Sequence, residues 1–256
     1  MAQTGATRIQ LCGRLAVTLS GRRVADALTG AKGQLLFAYL VLNRFRTIGR
    51  DELLDAVYGE QATPGHKPRL SVLLSKLRSV IGPDLLTGRA QIELVLPADA
   101  FVDVEAALEA LHRAEMHVAN GEWAEAWGPS GVAYHVASRP LLRDHDRPWL
   151  DDWRRRLDDV RVRGLECFAA ARLGLGGQAL PQAAECARQL IELAPFRETG
   201  YVILMEAFER SGNVAEALRV YDELRNMLRD ELAIAPSLAV QTVYRRLLGG
   251  ATTKTS

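Results

Sequence analysis

Cysteine is scarce in this chain of 256 residues, and its three occurrences, Cys12, Cys167 and Cys186, lie far apart with no Cys-x-x-Cys pair among them. That pattern excludes a disulfide framework and gives no zinc site, so buried structural thiols are expected. Long apolar runs are missing as well. No stretch approaches the ~18 residues needed to span a bilayer, and the first residues lack the apolar centre of a secretion signal. The expectation is a cytoplasmic protein with no membrane association.

Motifs that carry chemistry are equally absent. There is no Gly-x-x-x-x-Gly-Lys-Ser/Thr phosphate loop, no Gly-x-Ser-x-Gly and no Gly-x-Gly-x-x-Gly. Asp144-His145-Asp146 is the nearest approach to a metal or general-base cluster, but neighbours in one loop rarely converge on an ion without partners from elsewhere. A structural or solvated role is the expected one, and a hydrolase built on these three is the least favoured reading. His112 and His117 are five apart, which puts them on different sides of a helix. Arg154-Arg155-Arg156 is surrounded by Asp151, Asp152, Asp158 and Asp159, so local ion pairs are its expected use. No catalytic residue, cofactor or metal ligand is therefore assigned.

What the chain does have is an uneven charge. The formal net charge is +1, but residues 1–97 hold 13 Lys and Arg against 7 Asp and Glu, whereas residues 98–256 hold 19 against 24. The first part suits a polyanion and the second does not. With 48% hydrophobic residues the length suits two ordinary cores better than one large one. The expected division is 1–97, 98–249 and a disordered tail over 250–256.

The richest stretch runs from Pro64 to Gly82. At helical spacing Leu70, Leu73, Leu74, Leu77, Val80 and Ile81 share one apolar arc. The opposite arc carries Ser71, Val72, Ser75, Lys76 and Ser79, edged by Arg69 and Arg78. A basic outer face is by default a solvated one, and on this stretch alone that reading is favoured. The following residues change the weighing. Leu85–Ala90 runs into the alternating Gln91–Leu96, with Gly88-Arg89 placed to turn the chain. A hairpin directly after a basic helix is the order of a winged helix.

Upstream, Arg8–Gly13 and Leu15–Leu19 alternate as half-buried strands. Ala31–Phe45 reads as a buried central helix, and Arg50–Tyr58 as a helix with Gly49 as N-cap and Gly59 as stop. Downstream the text is helical: Phe101–Asn120, a stretch from Glu122 that Gly128-Pro129 interrupts, Trp149–Leu173, Pro181–Leu193, Phe196–Ser211, Val214–Leu232 and a last helix from Pro236-Ser237 to Leu248-Gly249. Helix pairs at a spacing of roughly 34 residues, with small residues in Asn213–Tyr221, indicate tetratricopeptide-like stacking.

These residues carry a resemblance. Lys32 with its leucine-rich helix, Arg50–Gly59, and Ser75-Lys76-Leu77-Arg78 with Ile81-Gly82 resemble the OmpR-like winged helix of SARP-type activators, the antibiotic-regulatory transcription factors. Tyr58 stands where that family usually has tryptophan, and Gln91-Ile92 where its wing has Gly-Tyr. RPLLRDHDRPWLDDWRRRL, the stretch from Leu193 to Ser237 and VYRRLL resemble the bacterial transcriptional activation domain that follows it. The fold class implied is mainly α, an α+β winged helix followed by an all-α helical repeat. The function implied is a nucleoid-associated activator that binds direct repeats in double-stranded DNA, contacts RNA polymerase and forms a homodimer. Lys67, Arg69, Ser71, Val72, Ser75, Lys76, Arg78, Ser79 and Arg89 are the expected DNA-binding residues, the hydroxyls and Val72 toward bases and the cations toward phosphates. A helical-repeat adaptor whose winged helix no longer binds DNA is the alternative.

Overall fold

The computed structural model describes residues 6–28, 30–59 and 62–252. They divide into two compact units, Met1–Ala106 with Arg139–Leu157, and Ala107–Ser138 with Asp158–Ser256. Among the described residues no helix is long and apolar enough to cross a membrane. The three cysteines are free and buried, as their scatter predicts.

In the first unit, β1 (Arg8–Gln10) and β2 (Ala16–Leu19) pair antiparallel, with Ile9 opposite Val17 and both side chains buried. β3 (Arg22–Arg23) extends the sheet beyond β2. Helix α1 (Gly30–Leu42) buries Leu35, Leu36, Phe37, Leu40 and Val41, which explains why its middle is apolar on most sides. The short strand β4 (Ile48–Gly49) leads into α2 (Arg50–Tyr58), bounded by Gly49 and Gly59 at the positions expected. Helix α3 (His66–Ile81) follows, and α1, α2 and α3 pack on one another. Full burial of each leucine such as Leu53, Leu70 and Leu74 contributes about 1.5–3 kcal/mol to this core.

Strands β5 (Leu86–Thr87) and β6 (Gln91–Leu94) form the hairpin after α3. β4 pairs with β6, Ile48 opposite Ile92, so the hairpin is tied to the entrance of α2. The chain then returns to the first sheet: β7 (Phe101–Val102) runs parallel to β1, giving the order β3-β2-β1-β7. The boundary expected at residue 97 thus falls inside the first unit, because Pro97 ends the hairpin without ending the sheet. Asp103 begins α4 (Asp103–Ala119) and is buried, its carboxylate accepting from the backbone N–H groups of Leu11, Cys12 and Val104, each at 2.9 Å.

Residues 139–157 also belong to this unit. Cys12 bridges to Leu141, and the carbonyl groups at the end of α2 find donors here. Arg147 reaches the Val57 carbonyl from Nε and Nη2 at 3.3 and 3.1 Å, and Trp149 donates from Nε1 to the Ala56 carbonyl at 3.0 Å. A helix leaves its last four carbonyls unpaired, and a guanidinium is also favoured by the negative end of the helix dipole.

The second unit is all helical. It contains the rest of α4, α5 (Trp123–Ala137), most of α6 (Pro148–Leu175), α7 (Leu180–Leu193), α8 (Glu198–Arg210), α9 (Val214–Leu232) and α10 (Leu238–Thr252). α7 packs on α8, α8 on α9, and α10 on both α8 and α9, the nearest-neighbour stacking of a helical repeat. Small residues allow the approach: Ala183, Ala187 and Ala217 are buried, and a Cβ on Gly200 would lie 3.1 Å from Ile191. Tyr221 and Tyr244 stack with ring centroids 3.8 Å apart. Pro129 sits inside α5 rather than interrupting it. α10 extends three residues into the stretch expected as a tail, and 253–256 lie outside the described residues.

Candidate nucleic-acid interface

Helix α3 buries Leu70, Leu74, Leu77 and Ile81 and leaves Leu73 and Val80 half-buried at the edges of the arc. Its outer face exposes Lys67, Arg69, Ser71, Val72, Ser75, Lys76 and Ser79. Val72 is 53% exposed, an apolar methyl pair set among hydroxyls and cations. The expected candidates on this face are therefore brought together.

Two of the hydroxyls are already engaged as donors. Ser71 Oγ donates to the Lys67 carbonyl at 3.1 Å, and Ser79 Oγ to the Ser75 carbonyl at 3.1 Å. Ser79 keeps its lone pairs as acceptors toward an incoming donor, whereas Ser71 already accepts from Arg50. Lys67 Nζ lies 3.3 Å from the exposed Asp51 carboxylate, a surface pair that contributes little and yields readily to another anion.

Arg78 is placed otherwise than expected. It donates from Nε to the Leu86 carbonyl at 3.1 Å and from Nη2 to the Gly88 carbonyl, so its guanidinium joins α3 to the hairpin rather than standing free for phosphates. Gly88 has φ +82°, and a Cβ there would meet the Gln91 carbonyl oxygen at 1.8 Å. Only glycine closes this turn without moving the strand. Arg89 is exposed at the tip, with its own carbonyl accepting from Arg50 Nη1 at 3.3 Å.

Arg50 is the residue the sequence reading passed over. Its other terminal nitrogen donates to Ser71 Oγ, so one guanidinium at the start of α2 touches both the outer helix and the wing turn. The signal was a lone arginine directly after the glycine that opens a helix. Tyr58 contributes a second link: its ring lies 4.3 Å from that of His66 and 4.4 Å from Lys32 Nζ, holding the end of α2 to the start of α3. Burial pushes the Tyr58 phenol up, with Arg69 opposing. Arg22 Nη2 donates to the Val80 carbonyl at 2.8 Å in the last turn of α3.

Asp144-His145-Asp146 does not form a cluster with other ligands. His145 Nε2 pairs with Gln34 Oε1 at 3.0 Å. Among the described residues no group of three or more His, Cys, Asp or Glu side chains is placed to hold a metal ion.

Residues 102–248 match the family model described as bacterial transcriptional activator domain. This chain belongs to that family. The bacterial transcriptional activator domain here follows a winged helix, the arrangement of SARP-type regulators. The regulatory protein AfsR of Streptomyces coelicolor is 29% identical over 248 residues, covering 96% of this chain and 24% of AfsR. The transcriptional regulatory protein EmbR of Mycobacterium tuberculosis is 26% identical over 246 residues, covering 93% of this chain and 62% of EmbR. The chain thus spans less than two thirds of either relative. A solved structure of Mycobacterium tuberculosis EmbR in complex with a low affinity phosphopeptide superimposes with a TM-score of 0.82 at 23% identity, covering 95% of this chain and 65% of that one, a likeness of fold. The family domain as matched includes 139–157, the segment whose Arg147 and Trp149 cap α2 in the winged-helix unit.

Proposed function

We propose that this transcriptional regulator binds double-stranded DNA in a sequence-specific manner and activates transcription from promoters carrying direct repeats. The observation that carries the proposal is the exposed face of α3, where Ser71, Val72, Ser75, Lys76 and Ser79 stand beside a wing turn fixed by Arg78 and Arg50. In this reading α3 enters the major groove. Lys67, Arg69 and Lys76 meet phosphates, Val72 meets a thymine methyl, and Arg89 touches the backbone from the wing. Arg78 and Arg50 keep helix and wing in register, as positioning residues. Self-association as a homodimer and contact with RNA polymerase belong to the same reading, supported by the family of residues 102–248.

Selection of bound duplexes from a random pool tests it, followed by a mobility-shift titration at low salt. Enrichment of repeated half-sites is the expected result. Absence of any shift, even with random duplex at low salt, would overturn it in favour of a helical-repeat adaptor.

A further inference from the structure

A cavity of about 650 Å³ opens in the first unit between the turn after β1 and the loop at 139–145. It shares no lining residue with α3 or the hairpin. Arg14, Arg139 and Arg143 line it, facing Asp26 and Asp144. Some arginines elsewhere are matched by carboxylates, Arg44 with Glu105, Arg163 with Glu115 and Arg246 with Glu206 and Glu209. Among the described residues, these three have neither an ion pair nor a side-chain hydrogen bond.

The walls are held in place by other groups. Gly13 N–H donates to the Pro140 carbonyl at 2.9 Å and Leu142 N–H to the Leu11 carbonyl at 3.2 Å, which joins the two loops. Arg154 Nη2 donates to the carbonyls of Leu141, Leu142 and His145 at 3.4, 3.4 and 2.6 Å. Leu142 is kept at φ +42°, a left-handed conformation that a leucine holds only when its surroundings impose it. His145, also in the wall, is fixed to Gln34 at 3.0 Å.

We propose that this cavity binds a small phosphate ester carrying free hydroxyl groups. Guanidinium forks match phosphate oxygens in pairs, and none of the three is held in an ion pair, though Arg139 lies within electrostatic reach of the Asp103 carboxylate. The two carboxylates argue against a bare polyanion, yet they accept hydrogen bonds from hydroxyls. The volume is that of a metabolite site, and its polar lining sets it apart from an apolar ligand pocket. The phosphates of DNA share part of this chemistry, so the test separates the two sources.

Ribose 5-phosphate titrated calorimetrically into the full 256-residue chain is the probe. Saturable binding at one site is expected, about tenfold tighter than inorganic phosphate. Replacing Arg139→Gln and Arg143→Gln together weakens it about tenfold or more, a change of about 1.4 kcal/mol. Asp144→Asn weakens ribose 5-phosphate alone, and Lys76→Ala changes neither ligand. No saturable heat, equal affinity for inorganic phosphate, or displacement by a short DNA duplex would each overturn the proposal. Should the double variant melt early, amide shifts in the wild type decide: movement at Gly13, Arg143 and His145 supports the site, and movement confined to α3 refutes it. The binding heat is read without DNA, so this outcome and that of the DNA-binding proposal are separate.

Discussion

Trp149 donates its indole N–H to the Ala56 carbonyl at 3.0 Å, while its ring meets Tyr39 edge to face at 5.0 Å. One side chain of the family domain therefore both caps α2 and packs on α1. Trp149→Phe keeps the ring contact and removes the donor, leaving a helix-end carbonyl without its protein partner. We expect a loss of about 1 kcal/mol in chemical denaturation followed by circular dichroism. An unchanged midpoint would mean that water replaces the indole at no cost.

Arg78 ties α3 to the hairpin through the Leu86 carbonyl. Arg78→Ala should lower stability by about 1.5–3 kcal/mol, the range for hydrogen bonds that involve a charged group. The salt dependence of DNA binding should keep its slope. A slope flattened by a full unit, with the melting curve unmoved, would return Arg78 to the phosphate contacts.

Lys76 has no such duty and stands exposed on the outer face. Lys76→Ala should weaken binding to selected and random duplexes alike and reduce the slope of log K against log salt by about one unit. Filter binding across a salt series measures it. Retention of the full slope removes Lys76 from the interface.

His145 gives the winged-helix unit a pH dependence. Burial holds its imidazole below the ordinary histidine value, with Arg147 and Arg154 acting in the same direction and Asp144 against them. A folded value below the unfolded one means that the unfolded chain binds the proton first. The contribution is present above about pH 6.5 and is lost as pH falls through the window below it. His145→Gln should flatten the fall in denaturation midpoint between about pH 7 and pH 5. Identical profiles for the two proteins would place the titrating group elsewhere.

Much of this was legible from residue order. Helix α2 lies where Gly49 and Gly59 bracket it, and the α3 face follows from the spacing of its leucines. The elements that could not be read are those decided by partners distant in sequence. Nothing local to 139–157 says that it packs with the first unit; the carbonyls of Ala56 and Val57 do. Pro129 looked like a break because proline removes a helical hydrogen bond. The helix continues through it, with its next turn packed against α6: Ser130 is buried, and Gly131 lets Phe168 close to within 3.4 Å of where a Cβ would be. Arg78 was misplaced and Arg50 passed over for another reason. A cation beside a hairpin serves a phosphate or a carbonyl equally well, and only the position of the turn carbonyls at Gly88 and Arg89 decides between them.

The burial of all three thiols has a practical corollary. Cys12 belongs to the winged-helix unit, Cys167 and Cys186 to the helical one, and burial pushes each thiol above its ordinary range. Alkylating reagents attack the thiolate, so labelling has to wait for a local opening. Mass spectrometry of time-resolved iodoacetamide adducts would then clock the breathing of each unit separately, with reporters native to the chain and no engineered probe.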